Sequence, residues 1–231
     1  MDDGLLFVLS EPGNQVPEAE FHHWYDHDHA PARLMIPGIH AGHRYRATDG
    51  LRPGWLAQYP LCLAALESPP YRALRNRSPY ERNILSRLET LDRRVYQRLS
   101  TTGDASDRAA RFLLAVALSG PDIPALEAWY HEEHCQALGG IPGWQRSACY
   151  RLVSGTAPQL LALHELGEPF TPTADTCCHG PRSPCPPEPS PIVTVREIRL
   201  FVHHNTVHTG QPNSTSAMSG PTTAMWTTPS V

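Results

Sequence analysis

Residues 21–46 and 126–151 of this 231-residue chain carry nearly the same pattern, and that repetition limits the fold more than any other feature. The first stretch runs FHHWYDHDHAPARLMIPGIHAGHRYR and the second LEAWYHEEHCQALGGIPGWQRSACYR. A shift of 105 residues sets Trp24 on Trp129, Tyr25 on Tyr130 and His29 on His134. It also sets Ile36-Pro37-Gly38 on Ile141-Pro142-Gly143 and Tyr45-Arg46 on Tyr150-Arg151 without a gap. The same shift lays WLAQYPL at 55–61 on LLALHEL at 160–166, and LLFVLS at 5–10 on 110–115. A period this long is unlike a solenoid repeat and implies two copies of one small domain.

Within the first copy, the apolar run at 5–10 predicts a strand, and Glu18 opens a helix expected to reach Ala30, where Pro31 disturbs it. Strands follow at 40–48 and 55–63. Ser78-Pro79 is a cap followed by a first-turn proline, and Tyr80, Ile84, Leu88 and Leu91 hold a helical stripe. A last strand at 94–99 completes a β-α-β-β-α-β order, the ferredoxin-like arrangement. The second copy repeats the plan from 111 to 166. Between 167 and 191 a proline-rich run with Cys177, Cys178 and Cys185 stands where the second helix should be, and a final strand resumes at 192–202. The expected divisions are 1–102 for one module, 103–206 for the other with its proline-rich insertion at 167–191, and a disordered tail at 207–231. The fold class is α+β, because each module leaves one sheet face bare and two bare faces can cover each other around a ligand cavity.

Composition removes several classes. The net charge is −4 and no basic run is interleaved with aromatics, so nucleic acid is not an expected partner. No segment looks like a membrane span or secretory leader, and six cysteines at no paired spacing read as free thiols in the cytoplasm. No phosphate loop, nucleophile elbow or dinucleotide fingerprint is present, so no cofactor is expected. His22, Asp26 and His29, like Glu127, His131 and His134, share one helical face, but span too much helix to grip one metal ion. Cys177-Cys178-His179 with Cys185 matches no paired-ligand spacing for zinc, so no metal is expected.

The pattern W-Y-x-x-(D/E)-H, followed by I-P-G and a Tyr-Arg pair, resembles the EthD-type family of the dimeric α/β-barrel superfamily. The resemblance implies two ferredoxin-like βαββαβ modules packed sheet to sheet as an intramolecular dimeric α/β-barrel, a pseudo-dimer in one chain that leaves a homodimer open. It also implies cofactor-independent lyase or isomerase chemistry (decarboxylation, dehydration or cyclisation) on a hydrophobic oxygenated small molecule, polyketide- or terpenoid-like, in secondary metabolism. A cofactor-free monooxygenase of the same fold and a non-catalytic small-molecule binder are the alternatives.

On a helical wheel, Phe21, Trp24, Tyr25, Asp28 and Ala32 cluster within about sixty degrees. Asp28 sits near the centre of that apolar stripe, and Glu133 repeats it. A carboxylate there needs a partner, and Arg44, Arg46, Arg146 and Arg151 on the following strands are available for a fastening salt bridge. The chemical alternative pairs Asp28 with His29 as a tuned proton-transfer unit, the helix C-terminus favouring protonated His29. His43 and Tyr45 share one strand face, while His40, Arg44 and Arg46 share the other. His40 and His43 have no histidine counterpart in the second copy, which marks the first as the working half. The expected catalytic residues are His29, Asp28 and His43. Tyr25, His40, Arg44, Tyr45, Tyr59, Trp24, His134 and Tyr150 are expected around the substrate.

Overall fold

The computed structural model describes residues 3–103, 108–130, 142–156, 158–170 and 193–208. His134, Glu133 and the cysteines at 135, 177, 178 and 185 lie outside these residues, as do most of the proline-rich run and the tail beyond 208.

Eight antiparallel strands close into a barrel. They are β1 (Gly4–Glu11), β2 (Ala41–Ala47), β3 (Trp55–Leu61), β4 (Thr90–Gly103), β5 (Phe112–Ser119), β6 (Trp144–Ser154), β7 (Leu160–Leu166) and β8 (Val195–His208). Around the wall the order is β1-β3-β2-β8-β5-β7-β6-β4. Strands β4-β1-β3-β2 therefore form one arc and β8-β5-β7-β6 the other, in the same internal order. The arcs are joined where β2 pairs with β8 and β4 with β6. Closure removes every free edge, the usual hazard of a sheet.

The register of the repeat is visible in the pairing. Strands β3 and β7 correspond at 105 residues, and so do β4 and β8. Both long last strands carry an irregularity at equivalent places, where Leu99 and His204 are skipped in the pairing with β6 and β2. The first strands differ from expectation. Leu5 faces Pro60 while Leu113 faces Glu165, so β1 and β5 correspond at 108 residues. Residues 5–10 therefore match 113–118, not 110–115. The cause is the following loop, which runs from 12 to 17 in the first arc but only from 120 to 122 in the second. The stretch from β7 to β8 is as long as that from β3 to β4, so the proline-rich run adds no length. Strand β8 also continues through Val207 and His208, past the expected start of the tail.

Alternation divides each strand between two cores. Leu5, Phe7, Leu9, Tyr45, Leu56, Tyr96, Leu113, Ala115, Leu161 and Phe201 fill the barrel interior. Outside the first arc, Leu6, Val8, Phe21, Trp24, Tyr25, Tyr59 and Ile84 pack under the helices. Those helices are α1 (Glu18–Trp24), α2 (Ala30–Leu34), α3 (Pro69–Ala73) and α4 (Pro79–Arg87), with a 3-10 turn at Leu63–Glu67. Ser78 caps α4 by accepting from the Glu81 N–H at 3.0 Å. On the second arc α5 (Ile123–Trp129) buries Leu126 against Leu114, Val116 and Ala162. No helix among the described residues is long and apolar enough to cross a membrane.

The first helical segment departs from expectation. Pro31 does not end it; a π turn at Tyr25–His29 links α1 to α2, and Pro31 lies in the first turn of α2. A proline lacks the N–H for an α-helical bond and its ring crowds the carbonyl four residues back, and a π turn just before it opens the backbone there.

Candidate functional site

A π turn uses more residues than an α turn, so the side chain that returns to the buried stripe is His29 and not Asp28. Asp28 is exposed, contrary to the wheel, while His29 is 5% exposed between Trp24 and Tyr25. His29 Nδ1 lies 2.9 Å from Glu81 Oε1, so the carboxylate that fixes the ring is Glu81 and not the adjacent Asp28. The expected protonated His29 is also reversed. Burial, reinforced by Arg33, Arg77 and Arg44, drives its pKa well below the ordinary histidine value, so the imidazole is neutral and donates Nδ1–H to Glu81.

The fastening salt bridge exists, but Asp26 makes it. Arg44 Nη1 donates to Asp26 Oδ1 at 2.7 Å and Nη2 to His22 Nδ1 at 2.9 Å. The guanidinium, 1% exposed, sits 4.4 Å from the Tyr25 ring centre, with Phe21 and Trp55 also around it. Cation–π attraction and two polar partners compensate the desolvation of a buried charge. Burial, then Arg44, lowers the pKa of His22, which suits its role as acceptor. On the second arc Arg151 holds Glu127 in the same helix-to-strand fashion. His22, Asp26 and His29, one face by an α-helical count, thus serve separate partners. No group of His, Cys, Asp and Glu among the described residues is arranged to hold a metal ion.

The barrel interior is the other half of the picture. Odd residues of β2 point inward, and a cavity of about 470 Å³ opens at the end lined by His43, Gln58, Arg98, Arg146, Tyr150 and Glu165. His40 stands exposed at its rim, with Arg108 and His208. Tyr45 lies just below, its hydroxyl accepting from Gln58 Nε2 at 3.3 Å. Gln58 Oε1 has no partner among the described residues, so an acceptor is left for a ligand donor. The volume falls in the range of small-molecule sites, about 300–1,000 Å³.

Electrostatics set the character of this chamber. Among the described residues that line it are Arg98, Arg108 and Arg146 and one acid, Glu165, which Arg146 holds at 2.5 Å. Burial raises the Glu165 carboxyl, against the opposing pull of the Arg146 hydrogen bond and charge. His43 is 6% exposed with Nδ1 3.1 Å from Thr206 Oγ1. Burial, then His203, His208 and Arg146, takes its pKa down to about 4, so the imidazole is neutral. Burial pushes the Tyr150 phenol up to about 12 against the pull of Arg98 and Arg146, and Tyr45 is raised by the same cause. The chamber thus offers neutral O–H and N–H groups, with burial holding its phenols protonated against the pull of Arg98 and Arg146.

The expected site residues therefore separate. His43, Tyr45, Tyr150 and His40 belong to the chamber or its rim. Trp24, Tyr25, His29, Arg44 and Tyr59 lie behind the barrel wall, under the helices. Gln58, Arg98, Arg108 and Glu165 were not among the residues expected from sequence. For Gln58 and Glu165 a signal existed, since each is a polar residue alternating with apolar ones on a buried strand. Arg98 and Arg108 gave none.

Among solved structures, an anthrone oxidase-like protein superposes with a TM-score of 0.61 at 9% identity, over 90% of this chain and 93% of that one. A proposed monooxygenase from Fusobacterium nucleatum superposes with a TM-score of 0.50 at 6% identity, over 89% and 93% of the two chains. No protein-family model and no curated protein matches this chain in sequence. Identities this low show a shared fold alone.

Proposed function

We propose that the chain is an enzyme that holds a phenolic or enolisable aromatic small molecule as its oxyanion in the barrel chamber and directs its oxidation by O2 without a cofactor. The observation that carries this reading is the chamber itself: neutral His43 and Tyr150 in a cavity lined by Arg98 and Arg146, with Gln58 Oε1 left without a partner among the described residues. Burial alone raises a phenol here, as it does Tyr150, but an oxyanion seated directly on Arg98 or Arg146 gains a charge-assisted pair that lowers its pKa. His43 accepts the leaving proton, and the oxyanion it helps to form raises its own proton affinity in turn. Electron-rich enolates react with O2 directly. For an activated ring methylene, one O2 replaces both C–H bonds with a C=O bond, and its second oxygen leaves as water with the two hydrogens. The carbon loses four electrons and the O2 gains them. The fold is shared with an anthrone oxidase-like protein and a proposed monooxygenase, which adds support for an oxygen-using enzyme.

The lyase or isomerase reading uses the same oxyanion and differs only in the fate of that anion. In either case the chain is read as two fused EthD-like, ferredoxin-like modules, divided near residue 102, with one working chamber. Oxygen uptake with a dihydroxyanthrone tests the choice. The oxygenase consumes one O2 per substrate; conversion without uptake returns the lyase reading, and binding without conversion makes the protein a carrier. His43→Ala is expected to lower kcat at least tenfold while His29→Gln leaves it within about threefold. The opposite result, with both variants folded, would move the chemistry behind the wall.

A further inference from the structure

A second concavity lies outside the barrel. A groove of about 600 Å³ runs between the 3-10 turn and α3 on one side and β4 and the end of β6 on the other. It shares no lining residue with the barrel chamber. Four arginines converge on it, Arg33, Arg75, Arg77 and Arg93, against one acid, the exposed Glu67.

These four differ from the arginines that build the fold. Arg44, Arg94 and Arg199 each hold a carboxylate within 2.9 Å. In the groove, Arg33 donates to the His29 carbonyl at 2.7 Å and Arg93 to the Tyr71 hydroxyl at 3.0 Å. None of the four makes an ion pair among the described residues. Like charges gathered around one hollow give it a positive potential that attracts anions. Guanidinium groups match carboxylate, sulfate and phosphate oxygens through paired N–H donors. The floor is not polar: Leu63, Leu66, Leu74 and Val95 line it between the arginines. A bare inorganic ion would leave that apolar surface uncovered.

We propose that this groove binds an amphipathic oxyanion, a carboxylate or phosphate monoester carried on an apolar ring or acyl chain. The apolar body lies on the leucines and Val95, and the head group is held by the arginines. This site is separate from the barrel chamber and does not depend on the reaction proposed for it.

The test is isothermal titration of the full chain with 2-naphthyl phosphate, 2-naphthoate and the neutral 2-naphthalenemethanol. Arg75 and Arg77 are exposed, so the double variant Arg75→Gln/Arg77→Gln should keep its fold, which its thermal midpoint checks. At least one anion is expected to bind, with Kd weakened tenfold or more in the double variant and less than twofold in His43→Ala. The neutral alcohol should bind at least tenfold more weakly than the better anion. The proposal is overturned if neither anion binds at millimolar concentration, or if the alcohol binds as well as the anions. It is also overturned if the double variant binds like the wild type, and loss in His43→Ala alone would assign the probe to the barrel instead.

Discussion

The outer faces of the two arcs meet the same packing demand with different chemistry. Under α1, strand β2 places Arg44 in a box of Phe21, Tyr25 and Trp55. The residue 105 later is Cys149, buried among Leu126, Tyr130 and Leu160. Beside the box, the Tyr25 and Tyr59 hydroxyls face each other and shift each other's ionisation, but without the geometry of a full hydrogen bond and with no other partner among the described residues. In the second arc the same two places hold Tyr130 and His164, and the chain of hydrogen bonds closes. Tyr130 Oη meets His164 Nε2 at 2.7 Å, and His164 Nδ1 meets Ser147 Oγ at 2.7 Å. The Trp144 indole N–H also donates to Ser147 at 2.8 Å. The substitutions are coupled by volume: a Cβ on Gly42 would lie 2.7 Å from Tyr59 Cε1, whereas the smaller His164 leaves room for Ser147. Burial repeats between the arcs, while polar satisfaction was solved separately in each.

The sharpest way to break this comparison is at its charged end. Arg44→Ala strands Asp26 and empties the aromatic box, and should cost about 3–5 kcal/mol in denaturant unfolding. Cys149→Ala removes a small neutral side chain and should cost far less than the loss of a buried charge, so equal losses would deny the box its role. Next, Gly42→Ser alone should destabilise by about 1–3 kcal/mol through overpacking against Tyr59. Adding Tyr59→His should recover most of that loss by recreating the second arc's network; additive losses would show that the pairs are not coupled.

A third test uses pH. His43 is neutral in the folded state down to about 4, while its unfolded value is 6.5. The unfolded chain therefore binds more protons as pH falls below 6.5, and stability present at neutral pH is lost towards pH 4. At pH 5 this amounts to about 2 kcal/mol for His43. The fall in thermal midpoint between pH 7 and 5 should be smaller in His43→Asn; an unchanged fall would place the titration elsewhere. The smallest effect separates the two phenols. Tyr130→Phe breaks a well-formed hydrogen bond and should cost about 1 kcal/mol, while Tyr25→Phe removes a hydroxyl with only the poorly aligned Tyr59 contact and should cost less or nothing.

Much of the architecture could be read from the chain. The repeat located β3 and β7 residue for residue, and the Ser78-Pro79 pair marked the start of α4. Alternation correctly set His43 and Tyr45 apart from Arg44. Asp28 was misplaced because the wheel assumed an unbroken α-helical step, and the π turn before Pro31 exchanged it for His29. The first strands were misaligned by three residues because two apolar strands match in almost any register. Only pairing with β3 and β7 distinguishes them.

By itself, then, the sequence determined what is local: the doubled order of strands, the Ser78 cap of α4 and the two faces of β2. Which face would enclose a chamber was decided by closure, through the β2–β8 and β4–β6 seams between residues far apart in the chain. Closure put His43 inside with Tyr150 and Arg146, and left His29 and Arg44 behind the wall. The groove arginines at positions 33, 75, 77 and 93 are likewise neighbours only in the folded chain. Burial and field are properties of the assembled wall, and no stretch of the sequence carries them alone.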